Sequence, residues 1–297
     1  MEELISVIVT FYNREDFLEE CLQSIKNQTY KNFEVLMIND GSTDGSEVIA
    51  KKFQDEDSRF KLISSEHIGF PLAKNLGLAN VSGNYIIFLD SDDSAYPCWL
   101  QLLYNVLIDT GADISTCYYD KYINKKADEP ANNYFDTHTL FLEEFSFFKM
   151  NLIYLSSCSS FMWNKLIKKE LYKDIVFKDQ IALSDISVMY KIFDKADKVV
   201  QIKTPLVHYR RHLKSMGAET TSKGLEYYKF RASVLKESAS FIWNHYPQSR
   251  LAIKKALYWE LSIMIKALGK EVFMKNIDCK MFHEIMQSKI KLYLTKD

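Results

Sequence analysis

The stretch Tyr85-Ile86-Ile87-Phe88-Leu89-Asp90-Ser91-Asp92-Asp93 (85–93) decides the fold. An apolar run of this kind suits a strand buried on both faces, the condition of a strand inside a parallel sheet. It runs directly into carboxylates. In open parallel α/β sheets ligands bind beyond the carboxyl ends of the strands, so Asp90, Ser91 and Asp92 stand where a ligand would be met.

Working outward, ISVIVTF (5–11), FEVLMI (33–38) and FKLIS (60–64) alternate with helical patterns near 16–28, 45–54 and 70–79. This alternation predicts an α/β fold, a mostly parallel sheet flanked by helices. A helix over 97–109, started by Ser94 and Pro97, and a strand over 112–119 follow. The polar segment Lys121 to Thr139 reads as a loop. From 140 the pattern turns to aromatic-rich helices with weak strands near 198–202 and 206–210, and beyond about 224 it is helical. Ile253, Leu257, Leu261, Met264 and Leu268 share one helix face, which would suit an internal core or a dimer equally. The expected division is a catalytic domain at 1–218 and a C-terminal helical extension at 219–297.

Bulk properties narrow the class. The 297 residues are 47% hydrophobic and 26% charged with a formal net charge of -1, the profile of a packed globule and not of a nucleic-acid-binding polycation. Five scattered cysteines without a CxxC pair suggest reduced thiols, and Met1-Glu2-Glu3 is acidic where an export signal would be basic. The uncharged stretches fall short of the ~18 apolar residues that span a bilayer. The expected location is the cytoplasm. Residues 250–297 hold ten Lys/Arg against five Asp/Glu. That basic tail reads as a helical cap with solvated lysines, or as a surface that meets a partner protein or the inner face of the membrane.

Three strands deliver polar groups to one edge: Thr10 to Asn13, Asn39 to Ser42, and Asp90 to Asp93. Carboxylates two residues apart, as in Asp90-Ser91-Asp92, can hold Mg²⁺ or Mn²⁺ while leaving positions open for diphosphate oxygens. The competing reading places them at the start of the next helix with Ser94 as its N-cap. Counting from Asp90, the sixth residue is Ala95 and the twelfth Gln101, which excludes an EF-hand. The turn Phe11-Tyr12-Asn13-Arg14 lacks the glycines of a dinucleotide fingerprint, and there is no Gly-Lys-Ser/Thr phosphate loop.

SVIVTFYNRE (6–15), SIKNQTYKNFEVLMINDGSTDGS (24–46), GFPLAKNLGLANVSGNYIIFLDSDD (69–93) and SDISVMYKIF (184–193) together resemble the family 2 glycosyltransferases of GT-A fold, over about residues 4 to 215. The resemblance implies an inverting, metal-dependent transferase that moves a hexose or N-acetylhexosamine from a UDP-sugar to a hydroxyl. The acceptor would be a glycan, glycolipid or glycoprotein, in cell-surface polysaccharide or protein glycosylation. It implies that Asp40 accepts a hydrogen bond from uracil and that Thr10 and Tyr12 line the nucleotide pocket. Asp90, with Ser91 beside it, would contact the ribose or metal-bound water, and Asp92 would ligate Mn²⁺ or Mg²⁺. His67 stands where the family often has Asn, and Lys74 where it usually has Arg, both as donor contacts. Lysine keeps the charge without the bidentate fork.

By the same resemblance Asp185 is the catalytic base, although Ser184 replaces the Glu that usually precedes it. Arg210 and Ser215, in PLVHYRRHLKS (205–215), become candidates to hold the β-phosphate. His208 and His212 are four apart, a metal spacing on a helix, but Pro205 and the strand-like pattern argue against a helix there. The replacements at 184 and 74 also motivate a second expectation, a catalytically silent sugar-nucleotide-binding subunit. Trp163 reads either as a sugar-stacking ring or as a core aromatic.

Overall fold

The computed structural model describes residues 2–123, 142–145, 161–179, 184–212, 224–269 and 277. Ser215, most of the 121–139 loop and the tail beyond 269, residue 277 apart, lie outside the described residues, as does the expected boundary at 218/219.

The four anticipated strands form as β1 (Ile5–Phe11), β2 (Phe33–Asp40), β3 (Phe60–Ser65) and β4 (Tyr85–Phe88). They pair in parallel in the order β3-β2-β1-β4. Every residue of β1 and β2 is buried, as the absence of polar alternation required. Alternation instead sorts their side chains between two cores. Val7, Val9, Val35 and Met37 pack on one side with α1 (Leu18–Lys26), α2 (Ser46–Glu56) and α4 (Trp99–Thr110). Ile8, Leu36 and Ile38 face the other side, where α3 (Phe70–Ala79) lies close to the sheet. A Cβ on Gly77 would fall 2.6 Å from Ile8 Cγ2, so only glycine permits that approach.

Beyond β4 the sheet becomes mixed. β8 (Lys165–Lys168) joins antiparallel to β4 and to β6 (Ile114–Ile123), and β9 (Val199–Arg211) runs parallel to β6. The short β5 (Ser94–Ala95) and β7 (Leu142–Phe145) pair antiparallel with β9. Two expected weak strands are therefore one strand, in which Pro205 coincides with a register irregularity instead of a break. Ser94 does not cap a helix; it lies in β5, and α4 begins at Trp99 after Cys98.

The second core continues into α5 (Ser184–Lys195), α6 (Leu225–His245) and α7 (Arg250–Leu268). Ile253, Leu257 and Met264 are buried and Leu261 and Leu268 pack against them, so the predicted stripe of α7 is internal core. The C-terminal helices share one hydrophobic cluster with Ile8 and Val188.

Candidate active site

The loops after β1, β2 and β4 meet at one edge of the sheet and are tied together by side chains. Asn13, at a positive φ of 51°, donates its amide to Ser42 Oγ at 3.1 Å and accepts the Thr43 amide at 2.8 Å. Asn39 Oδ1 accepts the Ser42 amide at 2.9 Å, and Ser46 Oγ accepts that of Arg14 at 2.8 Å. Short polar side chains turn the backbone there by replacing backbone partners.

Asp40 ends β2 as a buried carboxylate that accepts the amides of Ile68 at 2.7 Å and Gly69 at 3.1 Å. His67 Nδ1 stands 3.0 Å from Asp40 Oδ2, and the His67 ring stacks on Tyr12 at 4.0 Å between centroids. Tyr12 is 38% exposed, while Thr10 is buried in β1. Asp40, His67 and Tyr12 thus adjoin one another, a buried carboxylate beside a stacked aromatic pair. Gly41, at φ +73°, is required there, since a Cβ would lie 2.7 Å from the His67 amide nitrogen.

Asp90, Asp92 and Asp93 each offer a carboxylate oxygen within 4.8 Å of the others. Burial pushes Asp90 up to about 7, with the charges of Asp92 and Asp185 adding to it and those of Lys74 and Arg14 opposing. Asp93 is 1% exposed and is raised for the same reasons, burial first and then Asp92 and Asp90. Its Oδ1 accepts the Arg210 amide at 2.8 Å, whereas Oδ2 is buried without a hydrogen bond among the described residues. Because α4 starts nine residues after Asp90, the helix-cap explanation for these carboxylates fails. Clustered hard oxygens, one of them buried and unsatisfied, fit a hard divalent cation such as Mg²⁺ or Mn²⁺.

From the mixed half of the sheet, β9 brings basic groups to the same place. Arg210 donates from Nε to the Asp92 carbonyl at 2.9 Å and from Nη2 to Glu20 Oε2 at 2.6 Å, with its guanidinium over the Phe17 ring. His212 Nε2 stands 2.9 Å from Asp92 Oδ2. The helix test set His212 aside; a strand end 120 residues away in sequence supplies it instead. His208 packs instead against the Tyr96 ring, tilted by 37° with centroids 4.1 Å apart. Glu20 carries no motif that marks it for this corner, whereas Asp93 is visible in the sequence as the third carboxylate of the Asp90–Asp93 run.

Asp185 occupies the first turn of α5. Its Oδ1 meets Lys74 Nζ at 2.6 Å and Ser184 Oγ at 3.3 Å, and its Oδ2 accepts the Met162 amide at 3.3 Å. Lys74 therefore faces the candidate base. Trp163 is 3% exposed, with Phe161 stacked at 5.1 Å and Tyr209 at 5.6 Å. It is a core aromatic, and the half-buried Phe161 and Tyr119 are the rings nearer the surface.

The family model for glycosyl transferase family 2 matches residues 6–176. This chain belongs to that family. Among curated proteins it is similar to the glycosyltransferase GlyA of Streptococcus pneumoniae serotype 4, 33% identical over 231 residues, which are 75% of this chain and 33% of GlyA. The chain thus spans about a third of the length of that relative. Among solved structures it resembles S. aureus TarS 1-349 in complex with UDP-GlcNAc, with a TM-score of 0.67 and 19% identity over 87% of this chain and 72% of that one. It also resembles the mannosyltransferase PcManGT from Pyrobaculum calidifontis in complex with GDP-Man and Mn²⁺, with a TM-score of 0.58 and 17% identity over 93% and 79% of the two chains. At these identities the structural likeness concerns the fold.

Proposed function

We propose that this chain is an inverting glycosyltransferase that moves a hexose or N-acetylhexosamine from a UDP-sugar to a hydroxyl of a glycan, glycolipid or glycoprotein. The observation that carries the reading is the cluster of Asp90, Asp92 and Asp93, whose carboxylate oxygens lie within 4.8 Å of one another, with Asp185 near enough for its charge to raise Asp90. A metal-phosphate corner and a carboxylate base in one cleft are what sugar transfer from a diphosphate needs. TarS was solved with UDP-GlcNAc and PcManGT with GDP-Man and Mn²⁺, which supports a nucleoside diphosphate sugar as donor class.

In this reading Asp40 accepts a hydrogen bond from the base of the donor, and Tyr12 with His67 forms the aromatic wall beside it. Thr10 lines the pocket, and Asp90 and Ser91 face the ribose. Asp92, flanked by Asp90, Asp93 and His212, would hold Mn²⁺ or Mg²⁺, and the cation would supply positive charge to the departing diphosphate. Arg210 adds a fixed cation behind that corner, and Ser215 completes the phosphate contacts. Asp185 takes the proton of the acceptor hydroxyl as it attacks the anomeric carbon from the side opposite the diphosphate, inverting the configuration. The transition state gains oxocarbenium character, which the surrounding carboxylates favour.

None of the described helices is long and apolar enough to cross a membrane. We place the protein in the cytoplasm, with cell-surface polysaccharide or glycoprotein glycan as product. The C-terminal basic residues are then available to a partner protein or the inner membrane face.

The test is UDP release from a panel of UDP-sugars with an acceptor mixture, with and without Mn²⁺, running the parent beside Asp185→Asn. Metal-dependent release from one donor, lost in the variant, supports the assignment. Metal-dependent UDP binding with no turnover on any donor would favour a silent nucleotide-sugar-binding subunit, which Ser184 in place of Glu motivates.

A further inference from the structure

We infer that Lys74 is a positioning residue for the base Asp185 and not a donor contact. The inference rests on the assignment of Asp185 made above. Lys74 is 2% exposed, and its ammonium is fixed from three sides by the rings of Phe70 at 4.5 Å, Phe177 at 5.3 Å and Phe88 at 5.5 Å. Its Nζ donates to Asp185 Oδ1 at 2.6 Å. Such a buried cation with a short bond to one carboxylate has little freedom to reach another anion, because leaving Asp185 would strand the ammonium among the aromatic rings.

The geometry explains how orientation is achieved without the usual Glu. Asp185 is gripped at Oδ1 by Lys74 and Ser184 and at Oδ2 by the Met162 amide, so the plane of its carboxylate is set by groups on three separate segments. Lys74 is in turn held by α3, whose N-terminal Gly69 is bonded to Asp40 and whose Asn75 donates to and accepts from the backbone of Phe177. One helix therefore spans the nucleotide end and the base end of the pocket. A compact ammonium fits this aromatic cage, where the larger planar guanidinium of arginine would need more room.

The two roles for Lys74 predict opposite kinetics. With the holoenzyme in saturating Mn²⁺, Lys74→Met should lower kcat by about 100-fold, the size of effect expected from a misplaced catalytic group, while KM for the UDP-sugar and the Kd of UDP stay unchanged. Lys74→Arg should restore only part of kcat. Loss of UDP or donor affinity in Lys74→Met, with kcat retained, would overturn the inference in favour of a donor contact; unaltered kcat would overturn it outright. A crystal structure of the folded Lys74→Met variant gives a readout independent of turnover: Asp185 should leave the Met162 amide, and an unmoved carboxylate sinks the idea. Silence of the parent on every donor would instead count against the transferase reading, while the structural arm would still decide the role of Lys74.

Discussion

Asp92 and His212 are 120 positions apart in sequence and 2.9 Å apart in space, joining the loop after β4 to the end of β9. That pairing closes the acidic corner with an imidazole that is also packed at 4.3 Å against the ring of Phe17. Asp92→Ala should remove the metal dependence of UDP binding, and His212→Ala should weaken it by about 10–100-fold, the range seen when a group orienting a metal ligand is lost. Calorimetric titration of UDP with and without Mn²⁺ checks both. Metal-dependent binding at parental strength in Asp92→Ala would refute the assignment of the corner.

Asp185→Asn retains the shape of the side chain and loses its ability to take a proton. Transfer should fall by about 10²–10⁴-fold with UDP affinity preserved. Parental turnover in this variant would place the base elsewhere.

In the metal-free protein Asp90 should contribute a loss of stability as the pH rises from about 4 towards about 7, opposed at the acid end by carboxylates such as Asp44, Asp57 and Asp113 that the fold holds below their usual range. Asp90 titrates near 7 in the fold against about 4 in an unfolded chain, so across that window the folded state holds more protons and each rise in pH favours unfolding. Asp93, raised by burial and by its neighbours, acts in the same direction. The contribution of Asp90 is bounded at about 4 kcal/mol. Urea titrations of EDTA-treated protein at several pH values should show the slope, and Asp90→Asn should flatten it. A stability that climbs over this window in the parent and is untouched by the substitution would contradict the burial argument.

Gly77→Ala adds a methyl that would sit 2.6 Å from Ile8 Cγ2 at the contact of α3 with the sheet. Overpacking of this kind costs about 1–3 kcal/mol, read as a lower denaturant midpoint. Leu257→Ala, at a wholly buried position in the stripe of α7, should cost about 2–5 kcal/mol. If Leu257→Ala changed nothing, α7 would not belong to the core.

The parallel half of the fold and the acidic edge were legible because their signals are local. Mostly apolar, β-branched runs such as Ile5–Phe11 declare burial on both faces, and a carboxylate placed just after a run of this kind, as Asp90 is after β4, declares a ligand-facing edge. The stripe of α7 was equally plain as a pattern, but its partner was not: periodicity says that a face is covered and is silent about what covers it.

Tertiary structure alone decided the rest. Ser94 has the composition of an N-cap, and only pairing with His208 makes it a strand residue. Trp163 carries no mark that separates a sugar platform from a core ring until Phe161 and Tyr209 are seen against it. Lys74 reads as a donor contact by its position in the motif, and nothing local to it signals the ion pair its ammonium makes with Asp185, 111 residues away. The physical reason is common to all three. A side chain's local sequence determines its chemistry and its face of the element, whereas its partner is set by which distant strands and helices the sheet brings alongside, here β9 next to the acidic loop and α5 over α3.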